Sequence, residues 1–292
     1  MSKILGIGIA TLDIVNHVAH YPREDEEMRA SHQRISRGGN ATNTLEVLSQ
    51  LDHECHFCGT LADDADSMII ERALSDSGIN TQSCQRIPGG HAPTSYITIN
   101  EQTGSRTIVH FRDLPELDSM HYFSQPTEDY DWFHFEGRNI SATLEMLRHT
   151  EATRTDQPIS IEFEKDRPDI DGLLHHGDVL IFSRHFIRDR GFEDAVSFMR
   201  HVRNHNEEAM IVCPWGADGS WGMDRDNRPL QSEAFRQDQV VDTLGAGDCF
   251  NAGLIHGLCS GSTLSEAMDY ANRLAGIKVG QEGFSGLGQA RL

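Results

Sequence analysis

A glycine-rich segment near the C-terminus has the residue types that phosphate chemistry requires. It reads Val-Val-Asp-Thr-Leu-Gly-Ala-Gly-Asp over residues 240–248, and an apolar stretch with helical spacing follows it. Small residues let the backbone approach a ligand closely, and the unpaired N–H groups of a helix's first turn favour anions. The segment therefore predicts a phosphate-binding turn, with Gly245, Ala246 and Gly247 at the start of a helix.

Asp248 falls in the first turn of that predicted helix, beside the anion-binding turn. We expect its carboxylate to stay ionised there and to accept the proton of a hydroxyl while a phosphoryl group is transferred to the same oxygen. An aspartate at a helix start can instead merely complement the helix dipole. The complete run Asp-Thr-Leu-Gly-Ala-Gly-Asp favours the catalytic interpretation.

The charge of the chain limits its partners. The 292 residues include 45 acidic and 25 basic side chains, which gives a formal charge of −20. Nucleic acids and anionic membranes bind clustered positive charge, so neither is expected as a partner, and an anionic substrate would need backbone amides or a locally positive site. The acidic surface has very few lysines, which fits salt adaptation and a coding bias towards arginine equally well.

Other features of composition point to the cytoplasm. The chain lacks an apolar run of about 18 residues, which a membrane-spanning helix needs, and its first residues do not resemble a signal peptide. Six cysteines without a dense disulfide spacing are typical of a reducing compartment. Cys55 and Cys58 could form part of a zinc site, but no second pair follows, and their surroundings predict a buried strand.

Strand-like and helix-like runs alternate along the chain. Strands are predicted at 4–10, 55–60, 131–135, 158–163, 178–183 and 209–213, and helices at 40–51, 66–76, 141–149, 192–204, 246–260 and 263–280. This alternation is typical of βαβ units, with a mostly parallel sheet covered by helices on both faces. We therefore expect an α/β fold.

Two stretches break this alternation. Residues 14–37 and 93–111 have strand-like patterns with no helix between them, and we expect these strands to pair antiparallel in a small separate sheet. Such a sheet could close over a pocket and exclude water from a reaction. The expected organisation is thus a main domain of residues 1–13, 38–92 and 112–292 with a β-sheet lid of residues 14–37 and 93–111.

The two glycine-containing motifs together resemble those of a known family. The 242–248 segment matches the signature of the ribokinase (pfkB) family of carbohydrate and nucleoside kinases, and Gly38-Gly39-Asn40-Ala41-Thr42-Asn43 matches that family's other motif. The resemblance spans essentially the whole chain and is most specific for the ketohexokinase branch. The segments that carry this finer resemblance are 21–29, 37–43, 99–108, 134–139, 162–165 and 240–252.

The resemblance implies a fold and an activity. The fold would be a ribokinase-like three-layer sandwich whose β-sheet lid can clasp the partner of a homodimer. The activity would be ATP-dependent transfer of the γ-phosphate to a ketohexose hydroxyl, with fructose converted to fructose 1-phosphate. Two alternatives stay open: a kinase for another sugar or a nucleoside, and a non-catalytic sugar- or nucleotide-binding regulator.

The resemblance also assigns acceptor-side residues. These are Asp13, expected at the end of the first strand, Gly39, Asn40, Asn43, Arg138, Lys165, and Asp25, which would enter the neighbouring subunit's pocket. The chemistry agrees, because an asparagine offers a hydroxyl both a donor and an acceptor. Asn40 could instead be a plain helix N-cap, and Arg138 and Lys165 could form ordinary ion pairs with nearby glutamates.

The donor side follows in the same way. Arg106 resembles the arginine that reaches the transferring phosphate. The residues implied near the nucleotide are Trp215, Gly216, Gly219, Asp242, Thr243, Phe250, Asn272, Gly276 and Val279, although a tryptophan more often fills a core. ATP and Mg²⁺ are the implied cofactors, with K⁺ as a further possibility at loops around Asp242. Many family members carry an Asn-x-x-Glu that helps to place the metal, and Ser183-Arg184-His185-Phe186 stands here instead, so the magnesium ligands are left unassigned.

Overall fold

The strands and helices follow the predicted alternation closely in a computed structural model, which describes residues 1–289. The strands are β1 (Lys3–Ile7), β2 (Thr11–Val18), β3 (His32–Gly38), β4 (Glu54–Cys58), β5 (Thr60–Ala62), β6 (Ile79–Asn80), β7 (Gln85–Ile87), β8 (Thr94–Asn100), β9 (Arg106–Phe111), β10 (Trp132–Glu136), β11 (Ile159–Phe163), β12 (Val179–Phe182), β13 (Met210–Pro214), β14 (Ser220–Met223) and β15 (Pro229–Ser232). The helices are α1 (Asn40–Gln50), α2 (Ala65–Asp76), α3 (Ser119–Phe123), α4 (Ile140–Thr153), α5 (Arg184–Asp189), α6 (Ala195–Arg203), α7 (Ala246–Cys259) and α8 (Leu264–Val279).

A large sheet forms the middle layer of the molecule. Its strand order is β15-β14-β13-β12-β11-β10-β1-β4-β6, and the strands from β13 to β6 run parallel to one another. One buried apolar cluster packs α1, α2, α7 and α8 against one face, and a second packs α3 to α6 against the other. The parallel strands are buried on both faces, which explains their continuous apolar runs and confirms the expected α/β layers.

A small four-stranded sheet of order β3-β2-β8-β9 stands beside the large one. Its outer pairs are antiparallel as expected, but the central pair of β2 and β8 is parallel, so the expectation of purely antiparallel pairing is wrong. Asp13 lies within β2 and not at the end of the first strand. After β1 the Gly8 N–H still donates to the Cys58 carbonyl of β4, but the next N–H, that of Ile9, donates to the Glu136 side chain, and the chain then crosses to the small sheet.

Local sequence signals fix several helix ends. Asp64 accepts a hydrogen bond from the Ser67 N–H at the start of α2, and Thr263 and Glu266 form a capping box at the start of α8. Cys55 and Cys58 are buried free thiols in β4, as the strand interpretation predicts. None of the helices within residues 1–289 is long and apolar enough to cross a membrane.

Candidate functional site

A cavity of about 870 Å³ lies between the large sheet and the small sheet. Its floor includes Glu162, Ser183 and Pro214, at or just beyond the carboxyl ends of β11, β12 and β13, and its roof includes Val15 and Ile97 of the small sheet. The carboxyl ends of parallel strands are where α/β sheets bind their ligands. The cavity is therefore the candidate active site.

The glycine-rich turn reaches this cavity at the start of α7. Gly245 has the left-handed φ of 76°, and a side chain there would collide with the Phe284 ring. The first i to i−4 hydrogen bond of the helix runs from the Cys249 N–H to the Gly245 carbonyl at 2.9 Å. The N–H groups of Gly247 and Asp248 precede that bond and lack an i−4 partner within the helix, as an anion-binding turn requires.

Asp248 lines the cavity in the first turn of α7 and is only 7% exposed. Its Oδ2 accepts a hydrogen bond from Asn43 Nδ2 at 2.7 Å. Burial raises the pKa of Asp248 to about 7, against the hydrogen bond from Asn43, and the negative charges of Glu164 and Glu136 raise it further. The pKa of Asp248 is thus raised towards neutral pH, whereas the sequence predicted a carboxylate that is always ionised.

Glu162 connects the two motifs beneath the cavity. Its carboxyl accepts hydrogen bonds from Asn40 Nδ2 at 3.2 Å and from Asn251 Nδ2 at 3.0 Å. Burial, together with the charge of Asp248, raises the pKa of Glu162 well above its usual range. The N-cap of α1 is Gly39, with φ 108° and no side chain to cap with, so the alternative that Asn40 is a plain N-cap is wrong.

Asp13 faces the cavity from the small sheet. It accepts a hydrogen bond from Thr11 Oγ1 at 2.9 Å, and burial raises its pKa despite that bond and one from Ser95. The His110 ring of β9 lines the same cavity and contacts Ser95 Oγ at 3.2 Å. A polar group that can bind hydroxyls therefore sits on the roof opposite Asp248.

Arg138 and Lys165 also line the cavity, and both form ion pairs. Arg138 binds Glu136 at 3.0 Å and Glu116 at 2.9 Å with its side chain 17% exposed. Lys165 lies 3.5 Å from Glu164 and is 57% exposed. Arg138 and Lys165 therefore form ion pairs with glutamates, as the alternative predicted, and they also line the cavity.

Arg106 links the small sheet to the glycine-rich turn. It begins β9, and its NH1 donates to Thr243 Oγ1 at 3.2 Å. Arg34 of β3 makes a second link, with Asp242 at 3.9 Å. A phosphate at the start of α7 would therefore lie within the reach of an arginine from the roof.

The Lys278 ammonium is hydrogen-bonded to the oxygen atoms around Asp242. It is fully buried and donates to the Asp242 carbonyl and Oδ2, each at 3.0 Å, and to the Gln281 carbonyl at 3.4 Å. Burial opposes the ionisation of Asp242, but the Leu244 N–H and Lys278 outweigh it and hold the pKa of Asp242 below its usual range. A K⁺ ion beside this ammonium would be repelled, so these oxygens do not fit the K⁺ that the resemblance suggested.

The carboxylates at the cavity are the side chains that could bind the expected Mg²⁺. Within residues 1–289, no cluster of three or more His, Cys, Asp or Glu side chains has the arrangement of a metal site. Mg²⁺ usually takes one or two protein carboxylates, several waters and the phosphates of its substrate. Glu164, directly after β11, lines the cavity, which fits an ion that is brought in by a nucleotide.

Most of the predicted nucleotide-side residues lie outside the described cavity lining, although Asp242 and Thr243 line it. Phe250 is buried in the core, the Asn272 amide donates to Ser220 and Ser232, and Gly276 packs against Phe235. The Val279 carbonyl accepts hydrogen bonds from the N–H groups of Val241 and Asp242.

Four further predicted residues also lie away from that lining. Trp215 is buried, with the Arg184 guanidinium over its ring, and Gly216 and Gly219 shape the turn that follows it. Asp25 lies in the exposed connection between β2 and β3.

Several residues of the site were not identified from the sequence, and Glu136, Glu162 and Arg37 are three of them. Glu136 and Glu162 stand at or near the ends of buried apolar strands, and Arg37 precedes the Gly38-Gly39 pair. A charged residue within an apolar strand is the signal that could have singled out the glutamates, because burial of an unpaired charge is costly.

Comparison with known proteins agrees with this geometry. A model of the pfkB family carbohydrate kinases matches residues 1–287. The chain is 35% identical to the ketohexokinase of Mus musculus, with 98% of each protein covered, and 23% identical to an ATP-dependent ribose-1-phosphate kinase of Halopiger xanaduensis, with 97% and 94% covered. A solved structure of Arabidopsis thaliana ribokinase complexed with ribose and ATP superposes with a TM-score of 0.80 at 19% identity, over 97% of this chain and 94% of that one. The fold is ribokinase-like, and the chain belongs to the pfkB family of carbohydrate kinases.

Proposed function

We propose that the protein transfers the γ-phosphate of ATP to the 1-hydroxyl of a ketohexose and converts fructose to fructose 1-phosphate. The observation that carries the proposal is the position of Asp248, whose carboxyl faces the cavity beside the N-terminus of α7. The 35% identity with a ketohexokinase over nearly the whole chain supports this acceptor. The ribose-1-phosphate kinase of Halopiger xanaduensis and a ribokinase of Arabidopsis thaliana are each 23% identical over comparable lengths.

The acceptor would lie between the roof and α1. Asp13 and Asn40 offer acceptor and donor atoms to its hydroxyls, while Arg138 and Lys165 bring positive charge to the same wall. This charge would favour the phosphorylated product and the developing phosphate charge. Gly39 lines the cavity at the start of α1, where its φ of 108° and the nearby Ile9 carbonyl leave no room for a side chain.

ATP would place its γ-phosphate against the N–H groups at the start of α7. Those amides would stabilise negative charge there, and such electrostatic interactions become stronger where water is excluded. Arg106 already reaches Thr243 of this turn, and its guanidinium would contact the transferring phosphoryl group. When bound, Mg²⁺ neutralises charge on the nucleotide phosphates, and Glu164 is the side chain proposed to hold it.

In this mechanism Asp248 accepts the proton of the acceptor hydroxyl as the oxygen of that hydroxyl attacks the γ-phosphorus. The bond from phosphorus to the bridging oxygen of ADP breaks, and the products are the sugar phosphate and ADP. Phosphoryl transfer asks the protein mainly for positioning and charge stabilisation. The small sheet would contribute by excluding water from the transferring group.

A panel of acceptors tests the proposal. Purified protein with ATP and Mg²⁺ is expected to release ADP fastest with fructose, compared with tagatose, ribose, glucose and adenosine, in a coupled assay. Phosphate at the 1-position of the product is checked by ³¹P NMR. A higher kcat/KM with ribose or a nucleoside would overturn the acceptor, and fructose binding in calorimetry without ADP release would indicate a regulator.

We also propose a homodimer formed through the outer face of the small sheet, as the resemblance implies. Ile14 of β2 pairs with Ile35 of β3 on one side and with Tyr96 of β8 on the other, and Tyr96 pairs with Val109 of β9, so these residues form one row across this face. Phe111 lies two residues beyond Val109 in β9 and therefore on the same side of the sheet. Four of these five residues are at least half exposed, and the fifth, Ile14, is partly buried. An apolar face of this kind is typical of a protein–protein contact.

Val109→Asp is expected to convert this dimer into monomers, because it places a charge within the apolar face. The mass is measured by sedimentation velocity, and Met120→Asp, at an exposed apolar residue of α3, is the matched control that should leave the mass unchanged. The monomer should also lose affinity for fructose if Asp25 enters the neighbouring pocket. An unchanged mass for Val109→Asp would count against this interface.

A further inference from the structure

Arg37 is a buried cation that holds three groups of α1 at once. It stands near the end of β3, and only 3% of its side chain is exposed. Its NH1 donates to Thr42 Oγ1 at 2.6 Å and to Asn43 Oδ1 at 2.8 Å, and its NH2 pairs with Glu46. A planar guanidinium with several donors in fixed directions suits such a contact, and a lysine ammonium does not reproduce it.

This contact decides which way the Asn43 amide points. An arginine has only donors to offer, so the Asn43 carbonyl oxygen must face Arg37 and its NH2 group must face away. That NH2 group donates to Asp248 Oδ2 at 2.7 Å. If the amide were flipped, an NH2 group would face the guanidinium and an oxygen would face the carboxylate, and both contacts would be repulsive.

We propose that Arg37 is a positioning residue for Asp248: by fixing the Asn43 amide, it gives the ionised carboxylate a permanent hydrogen-bond donor and keeps Asp248 ready to act as the base. This inference rests on the proposed function, in which Asp248 accepts the proton. Arg37 itself need not touch either substrate.

The surroundings of Asp248 make such a device necessary. The charged groups that face it are Glu136 of β10, Glu162 and Glu164 at the end of β11, Arg37 of β3 and its partner Glu46 of α1, with the Lys278–Asp242 pair near the adjacent Cys249. Burial and the glutamates favour the protonated form, whereas Asn43 and Arg37 favour the ionised form. Loss of Arg37 would remove its charge and free the amide to turn.

The pH profile of kcat/KM tests the proposal. Arg37→Met is expected to shift the acidic limb of this profile to higher pH by about one unit. At pH values below the limb, kcat/KM of the variant should therefore be about 10-fold lower than that of the wild-type protein, and at high pH the two should agree. Asn43→Ala should shift the limb in the same direction. Because Arg37 acts through Asn43, the double variant should shift it by much less than the sum of the two.

A second measurement does not depend on turnover. In the wild-type background and in the Arg37→Met background, the unfolding temperature is compared with and without Asp248→Asn across pH 5–9. The pH at which this difference levels off reports the pKa of Asp248 in the folded protein. In the Arg37→Met background this pH should be higher by the same amount as the shift of the kcat/KM profile. If no sugar is phosphorylated but this shift is found, the proposed function fails and the role of Arg37 in ionising Asp248 stands.

Arg154→Met is the matched control, because Arg154 forms a partly buried ion pair with Asp178 at the other end of the large sheet. It should leave both pH readings unchanged. An equal loss of rate at every pH in Arg37→Met, or shifts of Arg37→Met and Asn43→Ala that simply add, would overturn the proposal. If Arg37→Met does not fold, Arg37→Lys keeps a charge but loses the fork, and it should still shift both readings.

Discussion

Asp248→Asn is expected to lower kcat with fructose by about 10²–10⁴-fold, which is the range that general acid–base catalysis contributes. The new amide has the size of the carboxyl and its oxygen can still accept the hydrogen bond from Asn43, but it cannot take the proton of a hydroxyl. Binding of fructose and of ATP should therefore change little. The coupled ADP assay measures kcat, and calorimetry measures the two dissociation constants.

The same substitution should remove a pH dependence. The ionised form of Asp248 is the base and its pKa is about 7, so kcat/KM of the wild-type protein should rise with pH through this value. Deprotonation of the carboxyl is the cause, and the variant has no carboxyl to deprotonate. The residual rate of Asp248→Asn should therefore show no limb near pH 7.

As the pH rises, the stability of the wild-type protein should fall while its activity rises. The pKa of Asp248 is higher in the folded protein than in the unfolded chain, so protonation stabilises the fold, and this contribution is lost as pH rises through about 7. Asp248→Asn is neutral at every pH and escapes the loss. At pH 8 the variant should have a free energy of unfolding higher by about 1–4 kcal/mol, and this gain should shrink as the pH falls towards 4.

Asp66→Asn is the control for this experiment. Asp66 also lies in the first turn of a helix, α2, but it is not among the residues that line the described cavity. It represents the alternative in which an aspartate merely complements a helix dipole, and its replacement should leave kcat unchanged. A variant of Asp248 with near-normal turnover, behaving like that of Asp66, would show that the base is assigned to the wrong residue.

Gly247→Val is expected to lower kcat/KM for ATP by about 10²–10³-fold while the protein still folds, a loss comparable to that of one oxyanion donor. Gly247 lines the cavity, and a Cβ atom built on it would meet nothing within 4 Å. The added methyl groups would thus fill the space that the γ-phosphate needs. Gly245 could not serve for this test, because its positive φ and the Phe284 ring would make any substitution destabilising.

A graded series separates the filled space from a folding defect. Gly247→Ala should lower kcat/KM less than Gly247→Val does and should keep or slightly raise the unfolding temperature, because alanine favours a helix over glycine. Gly172→Ala is the matched control, in a short 3₁₀ turn where a Cβ meets only Leu144 at an ordinary 3.8 Å. Unchanged ATP affinity in Gly247→Val would contradict a phosphate position at this turn.

Local sequence was sufficient for the parts of the site that consist of consecutive residues. The turn at Gly245–Gly247 and the first-turn position of Asp248 follow from small residues placed directly before a helical pattern. The layers of the main sheet followed from alternating apolar runs, because buried parallel strands and covering helices have different periods. Asp13 was misplaced, because the apolar run 4–10 contains no mark of the point where the chain crosses to the small sheet.

The tertiary structure decided what the chemistry of these residues is. The hydrogen bond between Asn43 and Asp248 joins residues 205 positions apart, and that between Asn40 and Glu162 spans 122, so neither has a local signal. The charge of Asp248 depends on burial and on glutamates from other strands. A sequence motif names the group that can accept a proton, but only the packing of distant elements sets the pH at which it does so, because desolvation and neighbouring charges exist only in the folded chain.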